Sequence, residues 1–141
     1  MDSTTIVIAS TFDELERAID FIEDFVNTHE LNEDLLERMR LVGSEAVTNA
    51  IEHGNQLDES KMVTFSIRLV DSYVEMRVSD EGPGFVISEI PDPLASENLL
   101  AEGGRGVYFI FEFSDEVVFE QDGAVLLARF RIPDTGSQVP S

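Results

Sequence analysis

Residues 62–79 carry the pattern that most restricts the fold. Met62-Val63-Thr64-Phe65-Ser66-Ile67-Arg68-Leu69-Val70 and Tyr73-Val74-Glu75-Met76-Arg77-Val78-Ser79 alternate in polarity, and only Asp71-Ser72 separates them. Two alternating runs joined by a two-residue break predict an antiparallel hairpin with one face buried and the other wet. The buried face needs a cover, and the flanking sequence offers helices. Thr4–Ser10 is short and β-branched, a first strand. Leu15, Ala18, Ile19, Ile22, Phe25 and Val26 follow at helical spacing to about Asn27, with Ser10 or Thr11 as the N-cap ahead of Asp13 and Glu14. Asn32 is predicted to cap a second helix with Leu36, Met39, Val47, Ala50 and Ile51 on its apolar stripe. That helix should stop near Gly54, where a glycine can take the left-handed C-terminal conformation. Helical spacing resumes at Val107–Phe111, and a last hairpin, 116–120 and 124–132, turns at Asp122-Gly123. The order β-α-α-β-β-loop-α-β-β predicts a two-layer α/β sandwich, an α+β fold whose mixed, mostly antiparallel sheet is covered on one face by helices. The 141 residues are expected to form a single domain with a frayed tail over about 133–141.

Charge narrows the function. The chain has 29 acidic and 9 basic residues, a formal net charge of -20. Nucleic-acid affinity rests largely on Lys and Arg, so a direct nucleic-acid role is disfavoured, and an anionic membrane surface would repel the chain as well. Proteins and small molecules remain as partners, and any phosphate-bearing ligand must be neutralised locally. With no cysteine, disulfides and thiolate metal sites are excluded. The first residues lack a basic, then apolar, leader, and no apolar run is long enough to span a bilayer, which makes a cytoplasmic location the expectation.

Three segments carry chemistry. In Glu45-Ala46-Val47-Thr48-Asn49-Ala50-Ile51-Glu52-His53-Gly54-Asn55, Glu45 and Asn49 stand four apart and share one helix face, while Val47, Ala50 and Ile51 can face the core. The segment also fits a solvated polar face, but Asn is a poor interior helix former, and its amide oxygen suits Mg²⁺. Asp80-Glu81-Gly82-Pro83-Gly84-Phe85 follows a strand directly. Its glycines let backbone approach a ligand, and Asp80 could accept a hydrogen bond from an exocyclic amine, though an ordinary surface turn fits too. Gly103-Gly104-Arg105-Gly106-Val107 opens a helix, where free N–H groups and one guanidinium suit an anion; a structural hinge is the alternative. Residues 82–106 hold five of the nine glycines, with Pro83, Pro91 and Pro93, and a loop this long is usually functional. Neither a dinucleotide fingerprint nor a Walker A loop is present.

In order and spacing the three segments resemble the N, G1 and G2 boxes of the GHKL (Bergerat-fold) ATPase superfamily, across essentially the whole chain. Their form looks most like the anti-sigma-factor serine/threonine kinases. The resemblance implies ATP and Mg²⁺ as cofactors. It implies that Asn49 holds the metal, that Asp80 binds the adenine amine with Gly82 and Gly84 shaping the pocket, and that Gly104, Arg105, Gly106 and Val107 close over the phosphates. Residues 86–103 would be the ATP lid, and Glu45 the general base for an attacking hydroxyl. His53 belongs to the same box, with a packing or capping role. The implied function is phosphorylation of an anti-sigma antagonist with the STAS fold, with a sigma factor as a second partner and a homodimer as the assembly. A nucleotide-gated module that sequesters partners without phosphorylating them is the alternative. Related ATPases use the same glutamate on water, and a nucleotide-free adaptor would require all three boxes to be coincidental. One departure stands out: the family often has threonine after the glycine that starts the last strand, to support adenine through water, whereas Ala124 and Val125 follow Gly123 here.

Overall fold

The computed structural model describes residues 3–82, 104–120 and 124–133. Gly84, the 86–103 lid, the Asp122-Gly123 turn and residues 134–141 lie outside them. Strand β1 (Ser3–Ala9) leads through a short 3-10 turn (Phe12–Glu14) into α1 (Leu15–Thr28). Helix α2 (Glu33–Asn49) runs on into a π-helical turn (Ala50–Gly54). The hairpin follows as β2 (Met62–Val70) and β3 (Tyr73–Ser79), then α3 (Gly104–Phe113), β4 (Glu116–Glu120) and β5 (Val125–Arg131). None of the described helices is long and apolar enough to cross a membrane.

The sheet order is β1-β2-β3-β5-β4, and every described pair is antiparallel, which resolves the expected mixed sheet in favour of its antiparallel part. The period-2 pattern places Ile8, Val63, Phe65, Ile67, Val74, Met76, Val78, Ala128 and Phe130 on one face. The helices cover that face with Ile22, Phe25, Leu35, Met39, Val47 and Ile51. Leu35, rather than Leu36, lies at the centre of the α2 stripe, and Leu36 packs at its flank. Asn32 caps α2 as expected, accepting from Leu35 N–H at 2.7 Å.

Two local expectations fail. Neither Ser10 nor Thr11 caps a helix with its side chain: Thr11 makes no side-chain cap bond, and the buried Ser10 hydroxyl donates to the Lys61 carbonyl at 2.6 Å. A long-range backbone acceptor wins over the nearby helix start. The helix does stop at Gly54, but Gly54 itself stays helical, and the left-handed residues that turn the chain are Gln56 and Leu57. The value of glycine at position 54 lies elsewhere, as shown below.

The sheet's other face is pinned by charge. Arg68, Glu75, Arg129 and Glu116 face one another across four successive strands. Arg68 and Arg129 each donate to Glu75 at 2.7 Å, and Arg129 also donates to Glu116 at 2.7 Å. Glu75 is only 2% exposed, although its place in the alternation reads as wet. Burial pushes its carboxyl up, but the hydrogen bonds and charges of Arg129 and Arg68 outweigh this and hold it below the ordinary value. A depressed folded-state pKa means stability present above the unfolded value of about 4.3 and lost as pH falls through the folded one. Glu75→Gln should therefore cost about 1–3 kcal/mol at neutral pH, a charge-assisted hydrogen bond's worth. It should also flatten the acid limb of a melting-temperature-against-pH curve. An unchanged acid limb would contradict this role for Glu75.

Candidate functional site

Where β3 and β5 leave the core, the two layers part. An open cleft lies between them, with Val78, Asp80, Ala124, Leu126 and Phe119 on the sheet side and Ala46 and Asn49 of α2 and Ala50 of the π turn above. Its apolar lining comes from the alternation itself. Val74, Met76 and Val78 face the helices, and Asp80 is next in that phase, so its carboxylate stands where a core side chain would. Burial accordingly raises the Asp80 pKa, with the Gly82 N–H bond and the charge of Lys61 opposing. A half-buried carboxylate beside apolar walls can orient a flat ligand that offers it an N–H donor.

Backbone proximity fixes that carboxylate in place. A Cβ on Gly54 would collide with the Asp80 carboxylate, and one on Gly82 would overlap the Gly54 carbonyl. The π-helical end of α2 and the 80–82 turn therefore touch backbone to backbone at Gly82, which no other residue type permits there, and a side chain at position 54 would displace the Asp80 carboxylate. Gly82 N–H then donates to Asp80 Oδ1 at 2.9 Å, and Asp80 N–H donates to the Ala124 carbonyl at 3.0 Å. The π turn is closed by Asn55 N–H on Ala50 O at 2.8 Å, a widened helix of the kind common at functional sites.

Of the residues expected from sequence, the fold brings Asn49 and Asp80 to opposite walls of this cleft and packs Gly82 beneath Asp80. Glu45 lies one turn back along α2, half-buried, and does not line the cleft among the described residues. Helix α3 opens at Gly104, so the N–H groups of Gly104, Arg105 and Gly106 have no carbonyl within the helix. The Val107 side chain is 8% exposed and packs inward. His53 sits in the π turn with Nε2 3.3 Å from Glu52. Ala124 presents a methyl group to the cleft.

Sequence reasoning missed two contributors. Phe119 closes the far wall, and its place in an alternating strand was the available signal. Asn55, 0% exposed, has no comparable signal, because its side-chain partners lie far off in sequence.

The sequence matches the histidine kinase-like ATPase domain over residues 8–130. The chain belongs to this family. It is 40% identical over 91 residues to the anti-sigma F factor of Geobacillus thermodenitrificans (strain NG80-2), covering 63% of this chain and 62% of that protein. It is 29% identical over 101 residues to the serine-protein kinase RsbW of Bacillus subtilis (strain 168), covering 67% and 63%. The chain thus spans a little over three-fifths of these relatives' length, 62% and 63%. The crystal structure of the RsbU and RsbW domains of Rv1364c from Mycobacterium tuberculosis aligns with a TM-score of 0.68 at 15% identity, over 94% of this chain and 32% of that one, a shared fold. Family membership makes the cleft between α2 and the sheet the candidate ATP site.

The raised pKa of Asp80 gives a signed prediction. Its protonated form is favoured by folding, so the associated stability is greatest in acid and is lost as pH rises through the folded value. At neutral pH the ionised group burdens the ligand-free protein. Asp80→Asn keeps an oxygen for Gly82 N–H and should raise the melting temperature without nucleotide, while weakening ATP binding by roughly tenfold or more. A lower melting temperature would mean the carboxylate is structural.

Proposed function

We propose that this domain binds Mg-ATP and transfers the γ-phosphoryl group to a serine or threonine of a STAS-fold anti-sigma antagonist, and that it also binds a sigma factor. The observation that carries the reading is the placement of Asn49 and Asp80 on opposite walls of one apolar cleft. The anti-sigma and serine-kinase names of the relatives support the choice of partners and acceptor. Adenine lies between the α2 wall and the sheet, its amine donating to Asp80, with Gly82 and Gly84 shaping the pocket. Gly104, Arg105, Gly106 and Val107 receive the phosphates at the α3 N-terminus, where free N–H groups offset charge in an acidic protein.

The residues suit a Mg²⁺ ion held chiefly by phosphate. Among the described residues no three His, Cys, Asp or Glu side chains gather into a cation cage, whereas Asn49 supplies one hard oxygen at the cleft. Mg²⁺ keeps waters and takes phosphate oxygens, so one protein ligand suffices. When bound, the metal neutralises charge on the transferring group. Glu45 takes the proton of the acceptor hydroxyl as its oxygen bonds to the γ-phosphorus and the bond to ADP breaks. Such a base contributes about 10²–10⁴-fold. We include in this reading a homodimeric assembly and a cytoplasmic site of action, as the resemblance to the anti-sigma-factor kinases implies.

A second reading, nucleotide-gated sequestration without transfer, draws on the position of Glu45 outside the cleft lining. Incubation with labelled ATP and STAS proteins encoded nearby separates the two: label on a serine or threonine supports the kinase, and no transfer to any candidate favours sequestration. Glu45→Ala should abolish transfer while leaving Mg-ATP affinity within about threefold, since a base acts on the transition state rather than on binding. Loss of binding would assign Glu45 a structural role. Asn49→Ala should weaken nucleotide binding only when Mg²⁺ is present, and an unchanged Mg²⁺ dependence in calorimetry would remove Asn49 from the metal site.

A further inference from the structure

Beneath the cleft, the Asn55 amide joins three separated segments. Its Oδ1 accepts from Glu81 N–H at 2.7 Å, and its Nδ2 donates to Ser10 Oγ at 2.8 Å and to the Met62 carbonyl at 3.0 Å. Ser10 passes the chain on to the Lys61 carbonyl, and the Glu81 carboxylate accepts from Met62 N–H. Both Asn55 and Ser10 are buried. The end of β1, the start of β2 and the residue after Asp80 are thereby locked to the π-helical end of α2.

The partners dictate the residue type. Glu81 N–H can only donate and Met62 carbonyl can only accept, so position 55 must present an acceptor on one side and a donor on the other. An amide does both, an ionised carboxylate only the first, and a hydroxyl is too short to span both segments. The bond to Glu81 acts one residue from the carboxylate in the cleft, and Gly54, the neighbour of Asn55, is the residue that carboxylate packs against.

We propose that Asn55 is a positioning residue for base selection: through Glu81 N–H it sets where the Asp80 carboxylate stands, and hence how strongly the site prefers a purine with an exocyclic amine. The proposal rests on Asp80 being the base acceptor.

The test compares calorimetric affinities for ATP and inosine triphosphate, which lacks that amine, in the unaltered protein, Asn55→Ala and Asn55→Asp. The parent prefers ATP. Asn55→Ala lowers the ATP-to-inosine-triphosphate affinity ratio roughly tenfold, the loss of one buried hydrogen bond's alignment. Asn55→Asp keeps an oxygen for Glu81 N–H and retains the ratio within about threefold, although it lowers the melting temperature as the alanine variant does. If both variants melt earlier with the parent's ratio intact, Asn55 is only structural and the proposal is overturned. If the parent binds the two nucleotides equally, the assignment of Asp80 fails and the proposal goes with it. Should Asn55→Ala not fold, amide exchange in the unaltered protein decides. ATP should slow exchange of Glu81 N–H about tenfold more than inosine triphosphate does, because only the amine-bearing base loads the turn. Equal protection by the two overturns the proposal.

Discussion

The cleft depends on one close approach: Gly82 against the carbonyl of Gly54, with the Asp80 carboxylate against the Gly54 Cα. Elsewhere the helix layer and the sheet layer are held apart by side chains. Here Gly82 meets the Gly54 backbone directly, so the end of α2 and the turn after β3 form one rigid corner. Asn49 extends from the first of these elements and Asp80 from the second. Their relative placement therefore follows from backbone contact rather than from flexible side chains, which is the preorganisation a binding site needs. The π-helical turn serves the same end, because widening the last turn carries Asn55 under the corner.

The two faces of the sheet solve different problems with one alternation. The face toward the helices supplies the apolar core and, where that core runs out, the cleft. The opposite face carries the row Arg68-Glu75-Arg129-Glu116 across four strands, and a one-residue slip in any pair would misalign the charges. That row therefore fixes the register of β3 and β5, whose ends bring Asp80 and Ala124 together. In a chain of net charge -20, placing arginines here also offsets acidic side chains within the sheet instead of leaving them to repel.

Period-2 alternation made the sheet legible in the sequence, and the three boxes pointed to Asn49, Asp80 and Gly82, which the fold gathers at one cleft as a candidate site. The rest escaped for physical reasons. Gly54 invited a conformational explanation, since a glycine at a helix end usually turns the chain; the fold uses it for lack of a Cβ, which depends on a residue 26 positions away. Asn55 was invisible because a buried amide satisfied by Ser10, Met62 and Glu81 leaves no periodic trace. Glu75 read as solvated because alternation reports the face of a sheet and not what the neighbouring arginines cover. Ser10 read as a cap because local partners are easier to foresee than a carbonyl 51 residues on.

The proposed nucleotide site is the apolar cleft under α2, with Asp80 in it. A titration of the isotope-labelled protein with Mg-ATP, followed by amide resonances, tests this directly. Binding there should shift Ala46, Asn49, Asp80, Gly82 and Ala124 and leave Thr64, Ser66 and Glu75 on the opposite sheet face unmoved. Shifts confined to that opposite face, or none at the cleft under saturating nucleotide, would contradict it.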